Sequence, residues 1–255
     1  MYFDWSISNI LIAIASLTGS GLLIIREYTP ATRLQYSKFA SSNLMKDNIK
    51  SNEITISSFH GMLVIYVPSL ILTTLLLFKT DNGSRMSLIT ALNVLHYLKR
   101  VTEVIFVHRY SGQSKLIDNI LISISYMVFA FFLSFFSAQV PHPNAFLTVV
   151  GVALFFIGEG TNCYHHLILS NLRKDGSKEY KIPQEGLFKY IWCPHYTGEI
   201  VAFIAMAFLS QHFLVLILQI CSAGYLAIRA YNTRSWYKSK FTDIPHRACL
   251  IPFIF

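Results

Sequence analysis

Long apolar runs, interrupted by short polar and basic stretches, set the pattern of this chain. A helix needs about 20 mostly apolar residues to cross the hydrocarbon layer of a bilayer. Runs of that order stand at 5–25 (WSISNILIAIASLTGSGLLII), 55–78, 86–107, 116–138, 145–170, 187–210 and 212–230. They predict an all-α, polytopic integral membrane fold of about seven transmembrane helices. The first run does not read as a cleavable signal peptide, because Met1 to Asp4 lacks a basic region and the apolar stretch is too long. Internal repeats and low-complexity tracts are absent from the sequence, so a single integral domain over residues 1–255 is the simplest organisation.

Composition agrees. Of 255 residues, 53% are hydrophobic and 13% charged, with a mean hydropathy of +0.47. Soluble domains carry roughly 25% charged residues, so an ordinary water-soluble core is excluded. Cys163, Cys193, Cys221 and Cys249 form no CxxC pair and no metal-ligand spacing, which argues against a disulfide framework or a zinc site.

Basic residues set an orientation. Segment 26–54 holds Arg26, Arg33, Lys38, Lys46 and Lys50; segment 108–115 holds two more, 171–186 four, and 229–255 five. The alternate connections hold only Lys79 and Arg85. With seven spans the four rich segments share one side, cytosolic by the positive-inside rule. The N-terminus then faces away from the cytosol and the C-terminus faces it. The net charge of +8 is accounted for by this topology and by anionic ligands, without nucleic acid.

Ionisable groups inside the runs are the candidate chemistry, since charge in hydrocarbon is costly unless it faces protein or an aqueous cavity. In LNVLHYLKRVTEVIFVHRYSG, His96, Arg100 and Glu103 recur on one helical face, with Tyr97 and Lys99 beside it. A salt-bridge network locking helices together is the alternative reading, and Lys99–Glu103 is its natural pair. Glu159, Asn162 and His166 share a face of the fifth run, where an amide suits a polar ligand and no metal set is evident. In the sixth, Pro194 is expected to break the helical ladder where His195, Tyr196 and Glu199 gather. Emerging from the last run, Arg229, Arg234 and Tyr237 suit phosphate and base recognition, although alone they are ordinary juxtamembrane residues.

Three runs, HYLKRVTEVIFVHRYSG (96–112), NLRKDGSKEYKIPQEGLFKYIWCPHYTGE (171–199) and RSWYKSKFTDIPHRACLIPFIF (234–255), resemble the C-terminal domain of steroid 5α-reductases. The wording is nearest the branch of very-long-chain enoyl-CoA reductases and plant 5α-reductase-like proteins. The resemblance covers residues 90–255 and leaves 1–85 poorly matched. It implies a seven-helix fold that holds NADPH and reduces the C=C bond of an α,β-unsaturated lipid carbonyl, such as a 3-oxo-Δ4 steroid or a trans-2-enoyl-CoA. Tyr97 takes the place of the tyrosine that hydrogen-bonds the substrate carbonyl. Arg100 and Arg109 match basic residues of that segment, and Asn162, Arg173, Tyr180, Glu199, Arg229 and Tyr237 match residues lining the NADPH site. Two further cofactor positions differ in type, with His166 in place of an aspartate and His195 in place of an asparagine.

The family's second-helix glutamate is missing, because no carboxylate lies between Glu53 and Asp81. His60 is the titratable group nearest its expected depth, and an imidazole there would donate to the carbonyl or orient Tyr97. A donor about 3 Å from the carbonyl oxygen is what enolate stabilisation requires. The resemblance also implies the endoplasmic reticulum, a lipid substrate and the bilayer as partners, and it sets no oligomeric state. A methyltransferase using S-adenosylmethionine and a non-catalytic lipid-binding relative are the competing readings.

Overall fold

The computed structural model describes residues 1–34, 54–81, 84–110, 112–173 and 180–255. Among them lie seven α-helices: α1 Ile7–Tyr28, α2 Ser58–Leu77, α3 Arg85–Thr102, α4 Leu116–Ala138, α5 Ala145–Asn171, α6 Pro194–Ser210 and α7 Phe213–Lys240. A π-helix, Glu103–Val107, continues α3, and a 3₁₀ turn, Gly186–Lys189, precedes α6. Two short strands, β1 Thr55–Ser57 and β2 Gln113–Lys115, pair antiparallel with Thr55 opposite Lys115 and Ser57 opposite Gln113. The chain divides into two compact units, residues 1–33 with 139–255, and residues 34–138.

In the first unit α5 packs closely along α6, and α7 packs against both α6 and α1. Local chemistry fixes the helix ends. The Ser6 hydroxyl accepts from Asn9 N–H at 3.4 Å, and the Asn144 side chain accepts from Leu147 N–H at 3.1 Å. These are the preferred partners for the orphan amides of a first turn. Gln211 ends α6 in the left-handed region at φ +57. Its side chain accepts from Asn144 N–H at 2.7 Å and donates to Asn144 C=O at 2.9 Å, pinning the α6–α7 corner to the start of α5. Tyr2 N–H donates to Gln211 C=O at 2.7 Å and Tyr2 C=O accepts from Phe213 N–H at 2.8 Å, so the first residues join the same corner.

In the second unit α2 packs on α3 and α4 around Met62, Ile65, Tyr66, Tyr97, Val104 and Ala130. Ser57 caps α2 and Ser84 caps α3. Arg85 donates to Ser137 C=O at 3.1 Å, tying the start of α3 to the end of α4.

The seven expected runs correspond to these seven α-helices, of which α1, α2, α4, α5 and α7 are long and apolar enough to cross a membrane. Helix α3 carries Arg85, Lys99 and Arg100, and α6 has only 17 residues. The expected break at Pro194 is corrected. Proline stands at the first position of α6 and opens the helix, where its missing N–H costs no hydrogen bond. The seven residues read as helix before it are a 3₁₀ turn followed by an irregular stretch in which Ile191 bridges Ala248. Helix α7 runs on to Lys240, ten residues past its apolar part. Lys38, Lys46, Lys50, Lys174 and Lys178 lie outside the described residues.

Candidate functional site

The second unit gathers tyrosines around one buried arginine. His96, Tyr97, Arg100 and Glu103 are all buried, so the face read from their spacing points inward. Arg100 donates to Glu103 at 2.6 Å and to the Tyr66 hydroxyl at 2.6 Å, and its guanidinium lies 4.8 Å from the Tyr66 ring centre. Lys99 adds a 3.5 Å ion pair to the other oxygen of Glu103. The Tyr97 hydroxyl donates to Tyr126 C=O on α4 at 3.2 Å, and the Tyr66 and Tyr126 rings stack 5.5 Å apart. The ion-pair network is therefore present, and it reaches α2 through the Tyr66 phenol. Burial beside Tyr66 pushes the Tyr110 hydroxyl well above the ordinary tyrosine range, so it stays protonated.

Two residues named from the sequence stand apart from this cluster. His60 is exposed in the first turn of α2, its Nδ1 2.7 Å from the Ser57 hydroxyl. Along antiparallel α2 and α3 it stands roughly 13 Å from the level of Tyr97, and it does not meet that residue. Arg109 is exposed just beyond the π-helix.

The first unit holds the other candidates in three groups. At the α5–α6 seam, Asn162 donates to His195 C=O at 2.8 Å, and the His166 and His195 rings lie 5.4 Å apart. Glu159 and Glu199 are buried on the same two helices. Gly158 and Gly198 make the seam possible: a Cβ on Gly198 would stand 2.6 Å from Asn162 N and 2.7 Å from Gly158 O. The two backbones touch next to the site, which only residues without a side chain allow.

The second group is an aromatic platform with arginines on it. Trp192 stacks on Tyr237 at 5.0 Å, Tyr237 stacks on Phe241 at 5.9 Å, and Tyr180 meets Trp236 edge-on at 4.5 Å. Arg173 lies 4.1 Å from the Tyr180 ring centre, Arg247 5.2 Å from that of Trp192, and Arg234 5.5 Å from that of Tyr231. Arg247 also donates to Pro183 C=O at 2.7 Å and to the Gln184 side chain at 2.6 Å. Its Nε, Arg234 Nε and Trp192 Nε1 are buried donors with no hydrogen-bond partner among the described residues. N–H groups of this kind are donors suited to an anion, and guanidinium suits phosphate in particular. This chemistry fits a phosphate-bearing dinucleotide. Burial raises the Cys249 thiol above its ordinary value against the pull of Arg234 and Lys238, so it is a packing group here and not a nucleophile.

The third group is a buried lock between α1 and α7. Arg229 donates to both oxygens of Glu27, at 3.0 and 3.1 Å. Tyr225 and Asn232 also donate to that carboxylate, and Arg33 donates to Asn232 at 2.9 Å. Arg229, named from the sequence for the cofactor, is thus held by a carboxylate on the first helix.

A polytopic helical membrane protein with a buried arginine bound to a tyrosine and an arginine-decorated aromatic platform is the class that the fold and these clusters define. The family model described as 3-oxo-5-alpha-steroid 4-dehydrogenase matches residues 113–255. The chain is 34% identical over 211 residues to the very-long-chain enoyl-CoA reductase of Dictyostelium discoideum, covering 79% of this chain and 69% of that one. It is 34% identical over 174 residues to 3-oxo-5-alpha-steroid 4-dehydrogenase 1 of Rattus norvegicus, covering 64% and 66% of the two chains. The figures for the probable very-long-chain enoyl-CoA reductase of Caenorhabditis elegans are 32% over 171 residues, 62% and 56%. The chain belongs to the 3-oxo-5-alpha-steroid 4-dehydrogenase family.

Proposed function

We propose that the protein is a membrane-embedded, NADPH-dependent reductase of a C=C bond conjugated to the carbonyl of a lipid, either a 3-oxo-Δ4 steroid or a trans-2-enoyl-CoA. The observation that carries the cofactor is the set of N–H donors on Arg234, Arg247 and Trp192, unpartnered among the described residues, beside stacked aromatic rings. Relatives named as enoyl-CoA reductases and 3-oxo-5-alpha-steroid 4-dehydrogenases support the reaction and the lipid class.

In this reading Arg173, Arg234 and Arg247 bind phosphates, Tyr180 and Tyr237 offer ring faces, and Asn162, His166, His195 and Glu199 hold the polar part of the cofactor. When bound, NADPH supplies the hydride for the β-carbon. Tyr97 polarises the carbonyl by turning its proton from the 3.2 Å bond with Tyr126 C=O to the substrate oxygen. Such loose bonds commonly tighten only when substrate is bound. The Arg100–Glu103–Tyr66 network keeps a positive guanidinium in that unit, which favours negative charge developing on the oxygen. The basic connections and the platform face the cytosol, and the membrane is that of the endoplasmic reticulum.

The test is turnover of the full chain purified in mild detergent with NADPH, offered a 3-oxo-Δ4 steroid and a trans-2-enoyl-CoA in parallel. Oxidation of NADPH matched by saturation of one substrate is expected. Binding of NADPH with no turnover of either would leave a lipid-binding protein, and absence of NADPH binding would end the reading.

A further inference from the structure

The segment after α7 ends in a tight apolar turn with its side chains outward. Phe253 is 96% exposed and Ile254 80%, with Ile251 and Phe255 also exposed. The turn is firmly closed. Leu250 and Ile251 N–H donate to Phe255 O at 2.6 and 2.8 Å, and Ile254 and Phe255 N–H both donate to Ile251 C=O at 3.1 Å. Phe253 holds φ +64, a left-handed conformation that is uncommon and costly for a bulky residue. A closed turn that spends strain to present phenylalanine and isoleucine is poorly suited to water.

Its depth suggests the other solvent. The Thr197 hydroxyl donates to Leu250 C=O at 2.8 Å, and Cys193 N–H donates to Cys249 C=O at 3.0 Å. Thr197 and Cys193 precede the α6–α7 corner by some 14 to 18 residues, so the turn lies roughly 20–26 Å above that corner. The hydrocarbon layer is about 30 Å thick. Helix α7, by contrast, rises from the same corner through 28 residues, about 42 Å, and carries the exposed Lys238 and Lys240 well beyond that thickness. The segment that follows therefore descends again, from the level of those lysines to that of the apolar helices.

We propose that the 250–255 turn is an interfacial membrane anchor whose Ile251, Phe253 and Ile254 side chains insert among lipid headgroups and upper acyl chains. The lysines above meet lipid phosphate, as cations flanking apolar wedges do. The anchor holds the Ala248–Cys249 stretch against Trp192 and Cys193, and so keeps Arg247 on the platform. The inference rests on the membrane reading alone and is independent of any reductase activity.

The full chain is reconstituted in phosphatidylcholine vesicles brominated at either shallow or deep acyl carbons, as Ile254→Trp and, separately, Phe253→Trp. Emission of the parent's own tryptophans is subtracted, and unchanged thermal unfolding confirms the fold; Ile254→Trp leaves the left-handed position untouched. The added tryptophan is expected to lose roughly half of its emission or more to shallow bromines, and less to deep ones, given an insertion of about 5–10 Å. An emission untouched by either lipid overturns the proposal, whether a soluble quencher reaches the ring or protein covers it. Stronger quenching by the deep bromines also overturns it.

Discussion

Gly198→Ala is the sharpest test of how the α5–α6 seam is built. The new methyl would stand 2.6 Å from Asn162 N, 2.7 Å from Gly158 O and 3.1 Å from Asn162 Cα, all on the facing helix. None of these atoms is the end of a flexible side chain, so the helices must part by about 1 Å to restore ordinary contact near 3.6 Å. Asn162 Nδ2 stands 2.8 Å from His195 C=O, and the same displacement takes that bond beyond hydrogen-bonding distance. Overpacking costs about 1–3 kcal/mol and the lost buried bond about 1 more. At about 2–4 °C per kcal/mol for a chain of this size, Tm in detergent should fall by the order of 10 °C. If the proposed cofactor reading holds, NADPH affinity falls with it, by roughly tenfold for one polar contact. Gly160→Ala is the control, because a Cβ there meets nothing within 4 Å among the described residues. Its helix propensity should gain up to about 1 kcal/mol. Equal thermal stability of the two variants would refute the close-contact reasoning.

Glu27→Leu removes the carboxylate that holds the buried Arg229 guanidinium, and should cost about 3–5 kcal/mol; the double variant with Arg229→Met should recover much of that, which thermal unfolding of the two will show. Tyr97→Phe should lower kcat at least about tenfold with NADPH affinity little changed, since the hydroxyl serves the substrate; an unchanged kcat counts against that role. His212 is buried at the α6–α7 corner, and that burial lowers its pKa to about 4 despite the opposing charge of Asp4. The fold then holds the neutral ring while the unfolded chain takes up a proton near pH 6.5. Stability from this residue is complete above about pH 6.5 and is lost as pH falls towards about 4, by roughly 3 kcal/mol. In His212→Gln the pH dependence of Tm across that window should flatten.

Spacing within one helix was a good guide. The faces His96–Arg100–Glu103 and Glu159–Asn162–His166 are buried as their periodicity predicts, because charge on an apolar helix has nowhere else to go. Partners between helices carried no comparable signal. Tyr66 and Tyr126 look like ordinary aromatic residues of apolar runs until Arg100 and Tyr97 are seen to bond to them. Glu27 looks like a juxtamembrane acid until Arg229 reaches it, and Gly158 and Gly198 act through side chains they lack. Arg247 stood in a quoted run yet could not be told from any other base. His60 was chosen as the titratable group nearest the expected depth of the missing glutamate, but residues 55–57 pair as a strand, so α2 begins at 58 and His60 sits in its exposed first turn.

The wide turn after α3 has a consequence for the residues beyond it. His108 N–H reaches Glu103 C=O at 2.8 Å, five residues back instead of four. Such a turn amounts to a one-residue insertion in an α-helical register. Deleting a single residue from 104–107 should restore the ordinary register, keep Tyr97 to Glu103 where they are, and swing Arg109 and Tyr110 about 100° around the axis. Relatives without the extra residue would present a different pair of side chains at that edge, so pairwise alignments should carry a gap there.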